Sequence, residues 1–191
     1  LHVLQTVGFD NSLIIASAMG KTTNALEDVI NAYFKKPDAL KQSIQVVKEY
    51  HFAIMNDLFE NKNHLVFDKV NVLFAEMEYF LSNNKSPNYN FVYDQIVSFG
   101  ETLSTTIISY FFNDQNIENV WIDARNLIKT DTTYRDAVVD WAKTESNIKN
   151  QIQSEKLYIT QGFIGSDPNH FSVTLGREGS DYSAAIFAYC L

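Results

Sequence analysis

Three short segments of this 191-residue chain concentrate side chains that can do chemistry. They are Ser17-Ala18-Met19-Gly20-Lys21-Thr22-Thr23-Asn24, Ser98-Phe99-Gly100-Glu101, and Gly176-Arg177-Glu178-Gly179-Ser180-Asp181. Each reads as a loop that leads into a helix N-terminus, where free N–H groups and the positive dipole end suit an anion. In α/β folds such loops gather at the carboxyl ends of the strands. Brought together, they would form a pocket with one fixed cation (Arg177), two carboxylates (Glu101 and Asp181) and several hydroxyls. That set fits a zwitterionic amino acid, with an arginine fork for its carboxylate and a glutamate for its ammonium. Gly20-Lys21-Thr22 looks like the end of a P-loop, but the first glycine of that motif would fall at Ile15, so the P-loop reading fails.

Simpler roles compete at each position. Ser98 and Glu101 have capping-box spacing, and on pattern alone Glu101 serves equally well as a cap. Ser180 or Asp181 fits the N-cap of the last helix, and Thr22 and Thr23 fit solvated cap neighbours. His51 lies on an apolar stripe and is expected in the core. His2, His64 and His170 have no spacing partners, so no metal site is expected. The lone Cys190 rules out an internal disulfide, reads as a buried small hydrophobe, and makes a reducing cytoplasm the default compartment.

The elements that must position these residues follow from periodicity. Residues 1–7 read as the tail of a helix closed by Gly8, and Leu13 to Ala16 as a short buried strand. The helix after the first loop has Asn24 and Glu27 at capping-box spacing. Leu40, Ile44, Val47, Ile54 and Leu58 form one helical stripe, and Val66, Val70, Leu73, Met77 and Leu81 a second. Together they predict a helical hairpin inserted over about 38–82. A shorter helix around Phe91 to Val97 is expected to break at Ser98 to Glu101, and a long helix then runs to Phe112. Strands are expected at Val120 to Ile122, Leu157 to Thr160 and Ser172 to Leu175, with helices over Val138 to Ile152 and Tyr182 to Leu191. Alternating strands and helices predict an α/β sandwich on a mostly parallel sheet, a single partial domain over 1–191.

Composition bounds the partners. The net charge of -8 argues against a bulk partnership with nucleic acid. No apolar run approaches the roughly 18 residues that a membrane span needs. The chain begins at Leu1 without an initiator methionine and stops within an apolar stretch, and so it is expected to be an excised part of a larger domain.

Taken together, the segments resemble the aspartate kinases. Ser17-Ala18 with Thr23-Asn24 is similar to that family's loop after its second strand, and Gly100-Glu101-Thr102-Leu103-Ser104 to its Gly-Glu-x-Leu-Ser segment. Gln161-Gly162-Phe163-Ile164-Gly165 followed by Thr174-Leu175-Gly176-Arg177-Glu178-Gly179-Ser180-Asp181 resembles its most telling stretch, and order and spacing agree over essentially the whole chain. The resemblance implies a three-layer α/β/α sandwich of the amino acid kinase type. It implies transfer of the γ-phosphoryl group of ATP, with Mg²⁺, to the β-carboxylate of L-aspartate, the entry step to lysine, threonine and methionine.

By position, it implies that Arg177 holds the substrate α-carboxylate and Glu101 its ammonium. Thr23, Glu178, Gly179 and Ser180 would complete the aspartate site, Asp181 would organise the catalytic lysine, and Ser17 would lie near the transferred phosphoryl group. The resemblance also implies a cytoplasmic enzyme that is a homo-oligomer when intact. Two departures stand out. The family's opening Lys-Phe-Gly-Gly stretch and its adenine and ribose contacts are missing, so the 191 residues alone are expected to be inactive. Glu178 stands where many relatives carry glycine. Another amino acid kinase acting on a related small anion, or a non-catalytic amino-acid-binding module, remains open as an alternative.

Overall fold

The computed structural model describes residues 6, 8, 9, 11–176 and 178–191. The helix expected over 1–7 lies outside them except at Thr6, and Arg177 lies outside them too. Three parallel strands form the central sheet in the order β1 (Leu13–Ala16), β3 (Tyr158–Gln161), β2 (Val120–Trp121). Leu13 pairs with Tyr158 and Ala16 with Gln161, while Val120 pairs with Tyr158 from the other side. Successive side chains in a strand point to opposite faces, and here both faces are covered. Ile14 and Ile159 pack with Ile108 and Phe112 on one face; Leu13 and Ile15 pack with Ile148, Ile186 and Phe187 on the other.

The first face is covered by α4 (Tyr89–Asp114), the second by α6 (Trp141–Gln151) and α7 (Gly179–Cys190). This gives the three-layer α/β/α sandwich that the resemblance implied. A short helix α5 (Ala124–Leu127) follows β2, and β4 (Ile164–Ser166) with β5 (Ser172–Thr174) makes an antiparallel hairpin. The strand expected at Ser172 to Leu175 is therefore a hairpin strand outside the parallel sheet.

Helices α1 (Thr22–Lys35), α2 (Pro37–Leu58) and α3 (Leu65–Asn83) pack with α4 around a second core that includes Leu26, Val47, Phe74 and Ile96. The two helices expected over 38–82 are both present. Pro37 opens α2, where its missing N–H costs nothing, and Asn88 caps α4 through the N–H groups of Asn90 and Phe91.

Several expected boundaries are corrected. The break at Ser98 to Glu101 does not occur, because α4 runs through all 26 residues uninterrupted. Ser98 turns its hydroxyl back onto the carbonyl of Gln95, and Thr102 does the same onto Ser98. Gly100 is needed for contact rather than for termination: a Cβ there would stand 3.0 Å from the Cβ of Ala18 and 3.3 Å from Leu26 Cδ1. The capping box at Asn24 and Glu27 is also absent, since α1 already begins at Thr22, whose hydroxyl donates to Met19 O at 2.6 Å. Helix α6 starts at Trp141 rather than Val138, capped by the Asp140 carboxylate on the N–H of Lys143. Helix α7 starts at Gly179 rather than Tyr182.

Candidate functional site

The loop after β1, the middle of α4 and the start of α7 meet around a cavity of about 600 Å³. Its walls include Ser17, Thr23, Glu101, Glu178, Gly179, Ser180 and Asp181, which are all the sequence-predicted site residues that the structure describes. Arg177 is the remaining one and lies outside the described residues. The cavity opens at the carboxyl end of β1, where the chain leaves Ala16 for Ser17. That is where α/β sheets bind ligands.

Hydrogen bonds tie the start of α7 to its neighbours. Ser17 Oγ donates to Ser180 Oγ at 2.7 Å and ties the end of β1 to the first turn of α7. The Phe163 N–H donates to Ser183 Oγ at 2.9 Å, and Ser183 donates onward to Gly179 O at 2.8 Å. Phe163 sits so close to the α7 start that a Cβ on Gly179 would lie 2.4 Å from its ring. Helix α7 has no side-chain cap. Its N-cap is Glu178 in the left-handed region at φ 56, and Ser180 and Asp181 lie inside the first turn. The reading of either as a cap is thereby removed. An acidic Asp181 in that turn suits the helix dipole.

Glu101 is the most unusual group of the site. It is 2% exposed, one carboxylate oxygen accepts the Ala18 N–H at 3.4 Å, and the other has no partner. Burial dominates and raises its pKa to about 8, against the lowering effect of the backbone N–H groups of Glu101 and Ala18. Its place in the middle of a continuous helix excludes the capping role, since no orphan N–H is available there. A buried carboxylate with a free oxygen on a cavity wall is suited to receive a cation.

Sequence reasoning missed a second group of wall residues, Tyr93, Arg135 and Thr174. Asp94, fully buried, accepts the N–H of Arg135 at 2.9 Å, the N–H of Thr174 at 3.0 Å and the Thr174 hydroxyl at 2.8 Å. Burial outweighs these bonds and lifts the Asp94 pKa to about 6. The available signal was Asp94-Gln95 itself, a polar pair between the apolar residues Val92 and Ile96 on one helix. Both are buried and both grip β5, with Gln95 exchanging two hydrogen bonds with the Ser172 backbone.

The other singled-out side chains stay away from the cavity. His51 is fully buried between Tyr50 and Phe74, and Cys190 is a buried free thiol. Among the described residues no helix is long and apolar enough to cross a membrane.

A parallel sheet covered on both faces, with a polar cavity at its strand ends, defines an α/β/α domain whose cavity lies where such sheets bind ligands. The chain belongs to the amino acid kinase family, whose model matches residues 3–191. It is 28% identical to the lysine-sensitive aspartokinase 3 of Escherichia coli (strain K12), a match covering 94% of this chain and 40% of that protein. It is 27% identical to the chloroplastic bifunctional aspartokinase/homoserine dehydrogenase 2 of Arabidopsis thaliana, over 100% of this chain and 22% of that one. Among solved structures it is similar to E. coli aspartokinase III in complex with aspartate and ADP (R-state). The TM-score is 0.87 at 25% identity, covering 99% of this chain and 42% of the other. The chain thus spans less than half the length of these relatives.

Proposed function

We propose that this chain forms the amino-acid side of an aspartate kinase active site, in an enzyme that phosphorylates the β-carboxylate of L-aspartate with ATP. The observation that carries the reading is Glu101, a buried carboxylate with an unpartnered oxygen on the wall of the cavity that also gathers Ser17, Thr23 and the 178–181 turn. The relatives that carry the name aspartokinase support the choice of aspartate over another small anion.

The attacking β-carboxylate is ionised at neutral pH, so no general base is required. The task is to bring one anion against another, which is done by positioning and charge neutralisation. Glu101 holds the substrate ammonium, and its proton leaves as that cation arrives. Thr23 and Ser180 offer hydroxyls to the bound amino acid, and Arg177 is assigned its α-carboxylate. The Ser17 and Ser180 hydroxyls, with the free N–H groups at the start of α7, suit the oxygens of a terminal phosphoryl group, so this end of the cavity fits that part of ATP.

Asp181, exposed at the same helix start, is assigned to orient a lysine. Among the described residues no cluster of three or more His, Cys, Asp or Glu forms a metal site. Bound with the nucleotide, Mg²⁺ would neutralise phosphate charge. The free Cys190 thiol agrees with a reducing cytoplasm, and the activity would open lysine, threonine and methionine synthesis, in an enzyme that is a homo-oligomer when intact.

The test is calorimetric titration of the chain with L-aspartate, L-glutamate and L-asparagine, and aspartate-dependent ADP release by the intact gene product. Preferential binding of L-aspartate together with that turnover is expected. A chain that folds but binds L-glutamate better, or none of the three, overturns the assignment.

A further inference from the structure

Arg135 is the cation among the described residues that line the cavity, whose walls also carry the three carboxyl groups of Glu101, Glu178 and Asp181. Its placement is built rather than incidental. The guanidinium carbon stands 4.2 Å from the centre of the Tyr93 ring, a cation–π distance. Tyr93 is itself fixed, since its hydroxyl donates to Glu27 Oε1 at 3.0 Å. The Arg135 backbone sits at φ 72, a region that a β-carbon disfavours and that persists only where the surroundings enforce it. The enforcing group is Asp94, whose buried carboxylate holds the Arg135 N–H and, from the same oxygen, the N–H of Thr174. A solvated surface arginine requires none of this support.

The backbone of the same segment borders the turn that leads into α7. A Cβ on Gly176 would lie 2.6 Å from Asp136 Oδ1 and 3.5 Å from Arg135 O, so Arg135 and Asp136 pack against the residue that precedes Arg177 in the chain. An anion entering this cavity meets the Glu178 and Asp181 carboxylates, and among the described lining residues its counter-charge is the Arg135 guanidinium over Tyr93. We propose that Arg135 is a specificity-determining residue which, laid on Tyr93, grips the carboxylate at the non-reacting end of the amino acid. The proposal rests on the reading of the ligand as L-aspartate given above.

The test is calorimetric titration of the full chain, wild type, Arg135→Gln and Arg135→Lys, with L-aspartate and with its α-amide, which lacks the carboxylate in question. Arg135→Gln is expected to weaken L-aspartate roughly ten- to a hundredfold, the usual range for a lost hydrogen bond to a charged group. Binding of the α-amide should be nearly unaffected, and Arg135→Lys should recover part of the loss, because an ammonium keeps the charge without the planar fork. The Arg135 side chain is exposed, so the melting temperature should barely move, and the lysine variant provides a second folded comparison. Unchanged L-aspartate affinity in Arg135→Gln overturns the proposal, as does an equal loss for the α-amide. Failure of the wild-type chain to bind L-aspartate is a separate result that overturns the functional reading and this inference with it.

Discussion

The backbone N–H of Ala18, in the loop after β1, reaches Glu101 Oε1 on α4 across 3.4 Å, and this one long contact is the only hydrogen bond from another element to that carboxylate among the described residues. The distance is at the weak limit for a hydrogen bond, which leaves burial in control of the proton. With its pKa near 8, Glu101 is mostly protonated at neutral pH until a cation arrives.

Ligand binding should therefore release a proton. Below about pH 8 the affinity for L-aspartate should fall as pH falls, by up to about tenfold per unit, because the form that binds the ammonium becomes scarce. Titration at pH 7 in buffers of different ionisation enthalpy should show close to one proton leaving per ligand bound. Binding without proton release would show that Glu101 is not the ammonium holder.

The same group makes stability depend on pH in a defined window. Its folded pKa is raised from 4.5 to about 8, so between those values the folded chain binds more protons than the unfolded one, and stability falls as pH rises. Asp94 adds the same trend between 3.8 and about 6. Glu101→Gln removes the ionisation, so it should be close to neutral at pH 5 and should stabilise the chain at pH 8.5, by on the order of 1–3 kcal/mol. Thermal or urea unfolding at the two pH values checks this. A variant destabilised equally at both would mean that Glu101 supports the fold through contacts instead.

How much of this was readable in the sequence differs between residues. Glu101, Ser17, Thr23 and the 178–181 turn were found because local motifs carry them, and the stripes of α2 and α3 because their apolar spacing is regular. What failed was the context of Glu101. Ser98 and Gly100 look like a helix boundary, yet Ser98 bonds back into its own helix and Gly100 lets Ala18 approach. Both uses depend on a neighbour some 80 residues away in the chain or on backbone geometry, and neither is a local property. Arg135 was invisible for the same reason. Its position is set by a main-chain bond to Asp94, and the segment around it has neither helical nor strand periodicity.

His51 gives a prediction of opposite sign on the acid side. Its Nδ1 lies 2.8 Å from Val47 O, which requires the proton on that nitrogen, and the buried Nε2 has no partner. Burial lowers its pKa below 6.5, so the folded chain keeps it neutral while the unfolded chain takes up a proton. Stability from this residue is complete above pH 6.5 and is lost as pH falls below it. His51→Leu should change stability by no more than about 1 kcal/mol at pH 7.5, since the Val47 carbonyl keeps its helical bond, and should lessen the loss at pH 5. Denaturant midpoints at both pH values decide. A large loss at pH 7.5, with L-aspartate binding abolished in the folded variant, would show that the histidine does more than pack.

Gly100→Ala separates local helix preference from the needs of the site. In an isolated helix interior, alanine in place of glycine gains about 1 kcal/mol. Here the new methyl would stand 3.0 Å from Ala18 Cβ and 3.3 Å from Leu26 Cδ1, closer than packed carbons tolerate without movement. Leu26 is fully buried in the helical core and has little room to yield, so the loop at Ala18 should give way first. Overpacking of this kind costs about 1–3 kcal/mol, which meets or exceeds the helix gain. The net stability change should be small or unfavourable. The larger effect should fall on binding, because moving Ala18 lengthens an already long bond to Glu101 and shifts Ser17 from Ser180. L-aspartate affinity should drop by about tenfold or more while the melting temperature moves only a few degrees. If Gly100→Ala were clearly more stable and bound L-aspartate as the wild type does, the close approach of α4 to the first loop would not be what holds the site in shape.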